Sequence, residues 1–178
     1  MEYSYDQPLL HTVMLSTEHD MAMGSSQYVW LEKDLGAVDR SITPWVVVEM
    51  HRPMYNPELH GWTGAIVSEG LQNEVEDLLV KSKVDLVLNG HYHSYFRSCD
   101  GLYFYECDNG GPTYITIGTG GAPLDGESSM IPNDYTEYFD KKHWGVGRAS
   151  VLNATAMHWE FVAVGGEIMD EVWLTRDR

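Results

Sequence analysis

Two histidines separated by one residue, His91 and His93, are the side chains of this sequence best placed to do chemistry. They follow an apolar run at residues 84–88 that predicts a short buried strand, and Gly90 lets the backbone turn so that both imidazoles can converge on one point. Neutral imidazole is the commonest side-chain ligand of metal ions. The pattern therefore predicts a metal site at the end of a strand.

A third histidine, His51, ends a second apolar run at residues 45–50, and a proline two residues later stops that strand. If the two strands are parallel neighbours, their carboxyl ends bring His51, His91 and His93 together. An arbitrary His-x-His pair is more often two solvated side chains on a strand edge. The third histidine and the preceding apolar run favour ligands here.

His60 lies in a predicted loop nine residues beyond His51. A loop histidine is more often simply solvated, and its functional interpretation is a general acid or a phosphate hydrogen-bond donor beside the metal. His11 lies within an apolar run and His158 precedes a tryptophan. Both are predicted to be core or sheet-face residues rather than ligands.

The elements that position these histidines follow a repeating strand–helix–strand pattern. A strand at residues 9–16 precedes a helix that is capped near Ser25 and ends at Gly36, and residues 45–50 form the next strand. After a long loop from 52 to about 64, a second helix is predicted over 68–81, leading into the strand at 84–88.

The pattern changes beyond Arg97, where strand-like runs follow one another without helices. We expect these runs to form an antiparallel sheet that closes a single domain covering residues 1–178. The runs are residues 102–105, 113–117, 149–152, 156–164 and 171–175.

Composition narrows the class of protein. The 178 residues suit one domain, and 43% hydrophobic residues indicate a globular chain. With 11 Lys plus Arg against 27 Asp plus Glu, the formal charge of −16 argues against nucleic acid or an anionic membrane as a partner. There is no apolar run of about 18 residues for a spanning helix, and the first residues lack the pattern of a signal peptide. An anionic substrate would need a local positive charge, which a bound metal would supply.

Cys99 and Cys107 flank a predicted turn and could form a small disulfide hairpin in an oxidising compartment, although the spacing alone leaves this open. Asn153 begins an Asn-Ala-Thr triplet, the acceptor sequence for N-glycosylation, which also arises often by chance. Both features are typical of secreted proteins.

The order of these segments resembles the carboxyl-terminal half of the purple acid phosphatases, within the calcineurin-like metallophosphoesterase superfamily. The resemblance covers nearly the whole chain and implies an α/β fold, a metallophosphoesterase-type sandwich whose amino-terminal half is missing from this chain. A Gly-His-x-His motif alone would indicate only the superfamily. The matching segments are residues 16–20, 24–35, 51–55, 90–93, 114–118, 120–121 and 144–148.

The resemblance also assigns roles to single residues. It implies that His51 and His91 bind a divalent ion, which is Zn, Mn or Fe(II), and that His93 binds Fe(III). It makes His60 the residue that hydrogen-bonds phosphate and protonates the leaving alcohol. Members of the family often carry two adjacent histidines at that point, whereas here His60 is followed by Gly61.

Further residues match the family as supports or modifications rather than as catalysts. Tyr55, Tyr95 and Arg97 correspond to structural supports of the motifs. Cys99 and Cys107 fall where related extracellular enzymes have cysteines, which favours a disulfide.

The activity implied by the resemblance is hydrolysis of phosphate monoesters by a metal-activated hydroxide, within a longer chain. The family draws its remaining ligands from amino-terminal blocks, and neither its Gly-Asp-x-x-Tyr nor its Gly-Asn-His-Glu block occurs here. Weak or single-metal binding is therefore expected from this chain alone. The complete enzyme could be a homodimer and would be extracellular or vacuolar. The alternative is a non-catalytic metal-binding or interaction protein with a three-histidine site, for which zinc with bound water is chemically possible.

Overall fold

A seven-stranded mixed sheet and a smaller antiparallel sheet make up the computed structural model, which describes residues 2–58, 61–125 and 133–176. The strands are β1 Tyr3–Gln7, β2 Leu10–Leu15, β3 Trp45–Met50, β4 Leu86–Asn89, β5 Tyr95–Ser98, β6 Thr113–Ile117, β7 Thr136–Asp140, β8 Gly145–Asn153, β9 Ala156–Ala163 and β10 Ile168–Thr175. The helices are α1 Ser26–Ala37, α2 Gly61–Leu71, a π-helix Gln72–Glu76 and α3 Asp77–Lys81.

The larger sheet has the strand order β1-β2-β3-β4-β6-β5-β7, and its four central strands are parallel. Strand β3 is almost entirely buried, as expected for an apolar strand covered on both faces. It pairs with β4 from Val47 opposite Leu86 to Met50 opposite Asn89. The prediction that these two strands are parallel neighbours is confirmed, so the segments after Met50 and Asn89 leave the sheet side by side.

The smaller sheet, in the order β10-β9-β8, packs its apolar face against the larger one. The rings of Tyr95 and Phe161 stack across this interface with centroids 4.2 Å apart. A buried polar group lies there as well: Asp170 accepts hydrogen bonds from the Tyr95 hydroxyl at 2.7 Å and from Arg97 Nε at 2.7 Å. Tyr95 and Arg97 therefore tie the segment after the histidines to the second sheet.

The antiparallel prediction is right for β8, β9 and β10 but wrong for two of its five runs. Residues 113–117 form β6, which is buried and pairs in parallel with β4 in the larger sheet. Residues 102–105 form no strand, because Phe104 and Tyr105 adopt positive φ angles of 46° and 65° and fold the chain into a tight turn. Short apolar runs cannot reveal which sheet a strand joins.

The first helix forms where its cap and apolar spacing predict. Ser25 accepts a hydrogen bond from the backbone N–H of Tyr28 at 3.2 Å, which satisfies one of the free donors of the first turn. Leu31 and Leu35 lie on the inward side of this helix and are buried in a hydrophobic core with residues of the larger sheet. None of the helices in the described ranges has the length and apolar content needed to cross a membrane.

The second helical segment begins earlier than predicted. Helix α2 starts at Gly61 rather than at residue 68, so the loop after His51 is shorter than the sequence suggests. Gly61 and Gly64 in its first turn are poor helix formers, which explains why the sequence predicts a helix start at residue 68 instead. The π-helix continues α2 without a break and leads directly into α3.

Glu76, the last residue of the π-helix, is fully buried. Its Oε1 accepts hydrogen bonds from the hydroxyls of Tyr55 and Tyr114, while Oε2 has no partner with hydrogen-bonding geometry among the described residues. Burial raises the pKa of the carboxyl above its ordinary 4.5, and the two tyrosine hydroxyls oppose this without cancelling it. The folded protein therefore favours the protonated form of this carboxyl more than the unfolded chain does.

Glu76→Gln is expected to weaken the pH dependence of stability. The folded state holds this proton to a higher pH than the unfolded chain does, so the free energy of unfolding falls as pH rises above about 4.5. Glutamine keeps the shape without a titratable group, and the difference between variant and wild type should grow with pH in urea unfolding. Glu69→Gln, an exposed position on α2, should match the wild type. A Glu76→Gln difference that is constant with pH would contradict the prediction.

Candidate metal centre

His51 and His91 meet at the carboxyl ends of β3 and β4. His51 Nε2 lies 3.1 Å from His91 Nδ1, and the two rings meet edge to face with centroids 4.9 Å apart. The backbone fixes this arrangement, because Gly90 donates its N–H to the carbonyl of His51 at 3.1 Å. His91 itself has a φ of 69°, a conformation that costs about 1–3 kcal/mol for a non-glycine residue and is found mainly at functional sites.

The two nitrogens are spaced like neighbouring ligands of one ion. Metal–nitrogen bonds of about 2.0–2.1 Å place adjacent ligands roughly 3 Å apart. The observed 3.1 Å is the distance of a hydrogen bond between the two rings and also fits that spacing, so His51 and His91 could hold one divalent ion with little movement. Within the described ranges, no group of three or more His, Cys, Asp or Glu side chains could hold a metal ion. The pair therefore supplies only part of a coordination shell.

His93 lies outside this pair. Its Nδ1 is 2.8 Å from the carbonyl oxygen of Pro123, and its backbone N–H donates to Asp125 Oδ2 at 2.6 Å. A carbonyl can only accept, so Nδ1 carries the proton and Nε2 keeps the lone pair that a metal ligand needs. The structure brings His51 and His91 into contact, whereas His93 contacts Pro123 and Asp125. The ligand roles of the three histidines stay predictions.

Arg52 and Glu18 form an ion pair beside the histidine pair. Arg52 Nε donates to Glu18 Oε1 at 2.5 Å, and Arg52 Nη1 lies 3.4 Å from His91 Nε2. The hydrogen bond from Arg52 holds the pKa of the Glu18 carboxyl below its usual value. Sequence reasoning missed this pair, although both residues lie in segments that match the family.

A buried carboxylate, Glu58, lies in the loop that leads from His51 towards α2. It is 5% exposed and accepts a hydrogen bond from Ser94 Oγ at 2.9 Å, which links this loop to the segment after His93. Burial, reinforced by the negative charge of Glu58, raises the pKa of the Tyr92 phenol. His60, the predicted general acid, lies outside the described residues.

Gly118 packs directly against the histidine loop, residues 90–94, which carries His91 and His93. Its N–H donates to the carbonyl of Ser94 at 3.1 Å, and a Cβ added to it would lie 1.8 Å from the carbonyl oxygen of Tyr92. The Gly-Thr-Gly-Gly sequence that begins here is thus a close-packing segment. Only glycine leaves room for the backbone between His91 and His93.

The segment after His51 is anchored to the helices along one line. Ser68 Oγ donates to the carbonyl of Pro53 at 3.0 Å, and Gln72 Nε2 donates to the carbonyl of Met54 at 2.8 Å. One turn further, Glu76 accepts from the hydroxyl of Tyr55. Three successive loop residues are therefore fixed by helical residues spaced four apart, a spacing that places them on one face.

The candidate disulfide and the candidate glycosylation site both lie after His93 in the sequence. Cys99 and Cys107 are joined in a disulfide with their Cα atoms 5.8 Å apart. Asn153 is exposed at the end of β8, and its side-chain oxygen accepts hydrogen bonds from the backbone N–H and the hydroxyl of Thr155 at 2.8 and 3.0 Å. The acceptor triplet is thus accessible.

Comparison with protein-family models gives two matches. The model described as calcineurin-like phosphoesterase matches residues 5–95, which include His51, His91 and His93. The model described as iron/zinc purple acid phosphatase-like protein C matches residues 111–171.

Similar proteins and structures carry related names. Purple acid phosphatase 22 of Arabidopsis thaliana is 39% identical over 97% of this chain and 40% of its own length. The Fe(3+)-Zn(2+) purple acid phosphatase 12 of the same plant is 32% identical over 97% of this chain and 39% of its own length. The structure of purple acid phosphatase PPD1 from yellow lupin (Lupinus luteus) seeds superposes with a TM-score of 0.81 at 27% identity, covering 99% of this chain and 33% of that one. The chain thus spans about two fifths of the length of these curated relatives, and its fold corresponds to part of theirs.

Proposed function

The chain belongs to the calcineurin-like phosphoesterase family, and the relatives named above are purple acid phosphatases. We propose that it supplies the histidine ligands of a two-metal centre that hydrolyses phosphate monoesters. The observation that carries this proposal is the 3.1 Å separation of His51 Nε2 and His91 Nδ1 at the ends of two parallel strands. Ligand sites in open α/β sheets lie at the carboxyl ends of the strands.

Each histidine has its own part in the proposal. His51 and His91 hold a divalent ion between them, and His93, whose Nδ1 is occupied by Pro123, offers Nε2 to the ferric ion. A relative named as an Fe(3+)-Zn(2+) enzyme supports zinc as the divalent ion. When bound, such a centre clamps the phosphate and makes water a nucleophile at neutral pH.

Other residues bind and protonate the substrate. We assign His60 as the donor that hydrogen-bonds phosphate and protonates the leaving alcohol, as the family resemblance implies. The Arg52 guanidinium lies 3.4 Å from His91 but is paired with Glu18, so the bound ions supply the positive charge that draws an anionic substrate to a chain of net charge −16. The carboxylate ligands come from outside the 178 residues in this proposal, because the histidine pair brings no negative charge to offset the ions.

Secretion to an extracellular or vacuolar compartment is part of the same proposal. The Cys99–Cys107 disulfide requires an oxidising environment, and Asn153 is exposed for glycosylation. Release of a sugar by an N-glycosidase, followed as a loss of mass, tests the second point. Asn153→Gln serves as the matched control, and a wild-type protein without sugar would contradict it.

A second candidate, a metal-binding protein without turnover, is favoured by one observation. The described residues contain no group of three ligands for one ion. A pair of histidines still binds zinc, but without a second ion or a carboxylate it lacks the means to clamp and attack a phosphate.

Zinc titration of the histidine variants separates one shared ion from two ions. His51→Ala and His91→Ala are each expected to lower the zinc affinity at least 100-fold, because each removes one of two close ligands. His93→Ala should leave that ion bound. If His93→Ala instead removes nearly all zinc, the three histidines share one ion. His19→Ala is the control and should bind zinc like the wild type, because among the described residues the His19 ring forms a hydrogen bond only with Ser16 Oγ, in an exposed loop.

The size and activity of the natural protein distinguish an enzyme from a binding protein. The natural protein can be isolated from its source with antibodies against this chain. We expect a species larger than 178 residues that hydrolyses p-nitrophenyl phosphate and loses this activity when His51 is replaced by alanine. A species of 178 residues that binds zinc and hydrolyses nothing would establish the second candidate.

A further inference from the structure

The loop closed by the Cys99–Cys107 disulfide lies across the π-helix and the start of α3. Within this loop, Tyr103 and Glu106 pair their backbones, each donating its N–H to the other's carbonyl at 3.0 Å. The hydroxyl of Tyr103 donates to Asp77 Oδ1 at 2.8 Å, and the hydroxyl of Tyr105 donates to Gln72 Oε1 at 2.9 Å. The loop thus contacts the helical segment at two points five residues apart.

Gln72 connects this disulfide loop to the segment that follows His51. Its Nε2 donates to the carbonyl of Met54 at 2.8 Å, while its Oε1 accepts from Tyr105. Because a carbonyl cannot donate, the nitrogen must face Met54 and the oxygen must face Tyr105, so the orientation of the amide is determined. Gln72 is 5% exposed, and the loss of either partner would leave a buried polar atom unpaired.

The backbone of the disulfide loop is strained where it presents Tyr105. Phe104 and Tyr105 are non-glycine residues with φ angles of 46° and 65°. Such conformations persist only where the surroundings over-determine them, and the disulfide together with the Tyr105–Gln72 hydrogen bond does so here. The ring of Tyr105 also meets that of Tyr55 at 5.3 Å, which is a second contact with the segment after His51.

We propose that the disulfide loop is a clamp on the metal centre, in which Tyr105 and Gln72 are positioning residues for residues 52–58. The disulfide holds Tyr105 against Gln72, Gln72 holds Met54, and Met54 lies three residues from the ligand His51. Opening the clamp lets this segment move and weakens the His51–His91 pair. The part concerning metal rests on the proposed function, whereas the mechanical link between the two loops does not.

The test compares Tyr105→Phe with Tyr103→Phe. Both substitutions remove one hydroxyl from the same loop, but only that of Tyr105 contacts Gln72. In Tyr105→Phe, backbone amides of residues 52–58 should exchange hydrogen about fivefold faster, since a net hydrogen bond is lost. Zinc affinity should fall by a similar factor, while exchange in β9 stays unchanged. Tyr103→Phe should leave exchange of residues 52–58 and zinc affinity as in the wild type.

Several outcomes would contradict the proposal that the disulfide loop is a clamp. Exchange in Tyr105→Phe equal to wild type would do so, as would an equal increase in Tyr103→Phe. The double variant Cys99→Ala/Cys107→Ala should show a larger increase at residues 52–58, and Tyr105→Phe decides the matter if this double variant fails to fold. If wild-type protein binds no zinc at all, the proposed function fails, and hydrogen exchange still decides whether the loops are linked.

Discussion

Gly118→Ala is expected to disrupt the histidine loop more than any other small substitution near the site. The added methyl would lie 1.8 Å from the carbonyl oxygen of Tyr92 and 3.4 Å from the Cα of His93, and backbone atoms cannot rotate aside. Overpacking of this kind destabilises by about 1–3 kcal/mol, and more where backbone must move. Because the displaced segment joins His91 to His93, we expect zinc affinity to fall about 10- to 100-fold as well, as for losses of support around metal ligands.

The matched control for this substitution is Gly120→Ala. Gly120 lies two residues further along, and a Cβ there would meet no atom within 4 Å. Its φ is not in the positive range, so alanine fits without strain. The free energy of unfolding should change by less than about 0.5 kcal/mol. Wild-type zinc affinity in Gly118→Ala, measured by calorimetric titration, would show that the close approach does not position the histidines.

Asp170→Ala is expected to cause the largest loss of stability, about 3–5 kcal/mol in urea unfolding. The Asp170 carboxylate accepts bonds from the Tyr95 hydroxyl and from Nε and Nη2 of Arg97, at 2.7, 2.7 and 2.9 Å. The Arg97 side chain is only 13% exposed and would keep its charge without the carboxylate that it contacts. A buried hydroxyl and a poorly hydrated guanidinium would thus lose their partner together.

Glu171→Ala provides the comparison on the same strand. Its carboxylate contacts His158 at 2.9 Å, but the Glu171 side chain is 59% exposed. An exposed pair contributes about 0–1 kcal/mol. A loss in Asp170→Ala no larger than that in Glu171→Ala would mean that Arg97 regains water or another partner, and that the polar contact between the sheets contributes little.

The sequence predicts the part of the site that depends on local pattern. Residues 45–50 and 84–88 are apolar runs of strand length. His51 follows the first run directly, and His91 follows the second after Asn89 and Gly90. Both strands form with shifts of at most two residues at their ends. Parallel pairing then fixes the distance between His51 and His91. The capped helix α1 forms for the same reason, because its signals lie within a few residues of each other.

Features that depend on distant residues could not be predicted in this way. Arg52 and Glu18 are 34 positions apart, and no periodicity indicates that they pair. The contact of Gly118 with Tyr92 depends on how two loops meet beyond the sheet. The contacts of His93 with Pro123 and Asp125 join residues 30 and 32 positions apart in the chain.

Three strands were missed for a related reason. Strand β5 has only four residues, and β1 and β7 are largely polar, so none shows the apolar alternation that predicts a strand. Their place in the sheet comes from pairing with β2, β6 and one another. Such pairings override weak local preferences.

The π-helix between α2 and α3 has a consequence for the length of the chain. A π-helical turn holds one residue more than an α-helical turn, so it shifts by about 100° the direction in which every later side chain points. Deleting one residue from Gln72–Glu76 would restore an ordinary pitch and keep Leu78 and Leu79 facing the core in which they are buried, because the π-helix accommodates that one extra residue. A homologue with a regular helix at this point therefore needs one residue fewer between the histidines that correspond to His51 and His91. A single-residue gap in an alignment there would mark a change of helical pitch rather than a shortened loop.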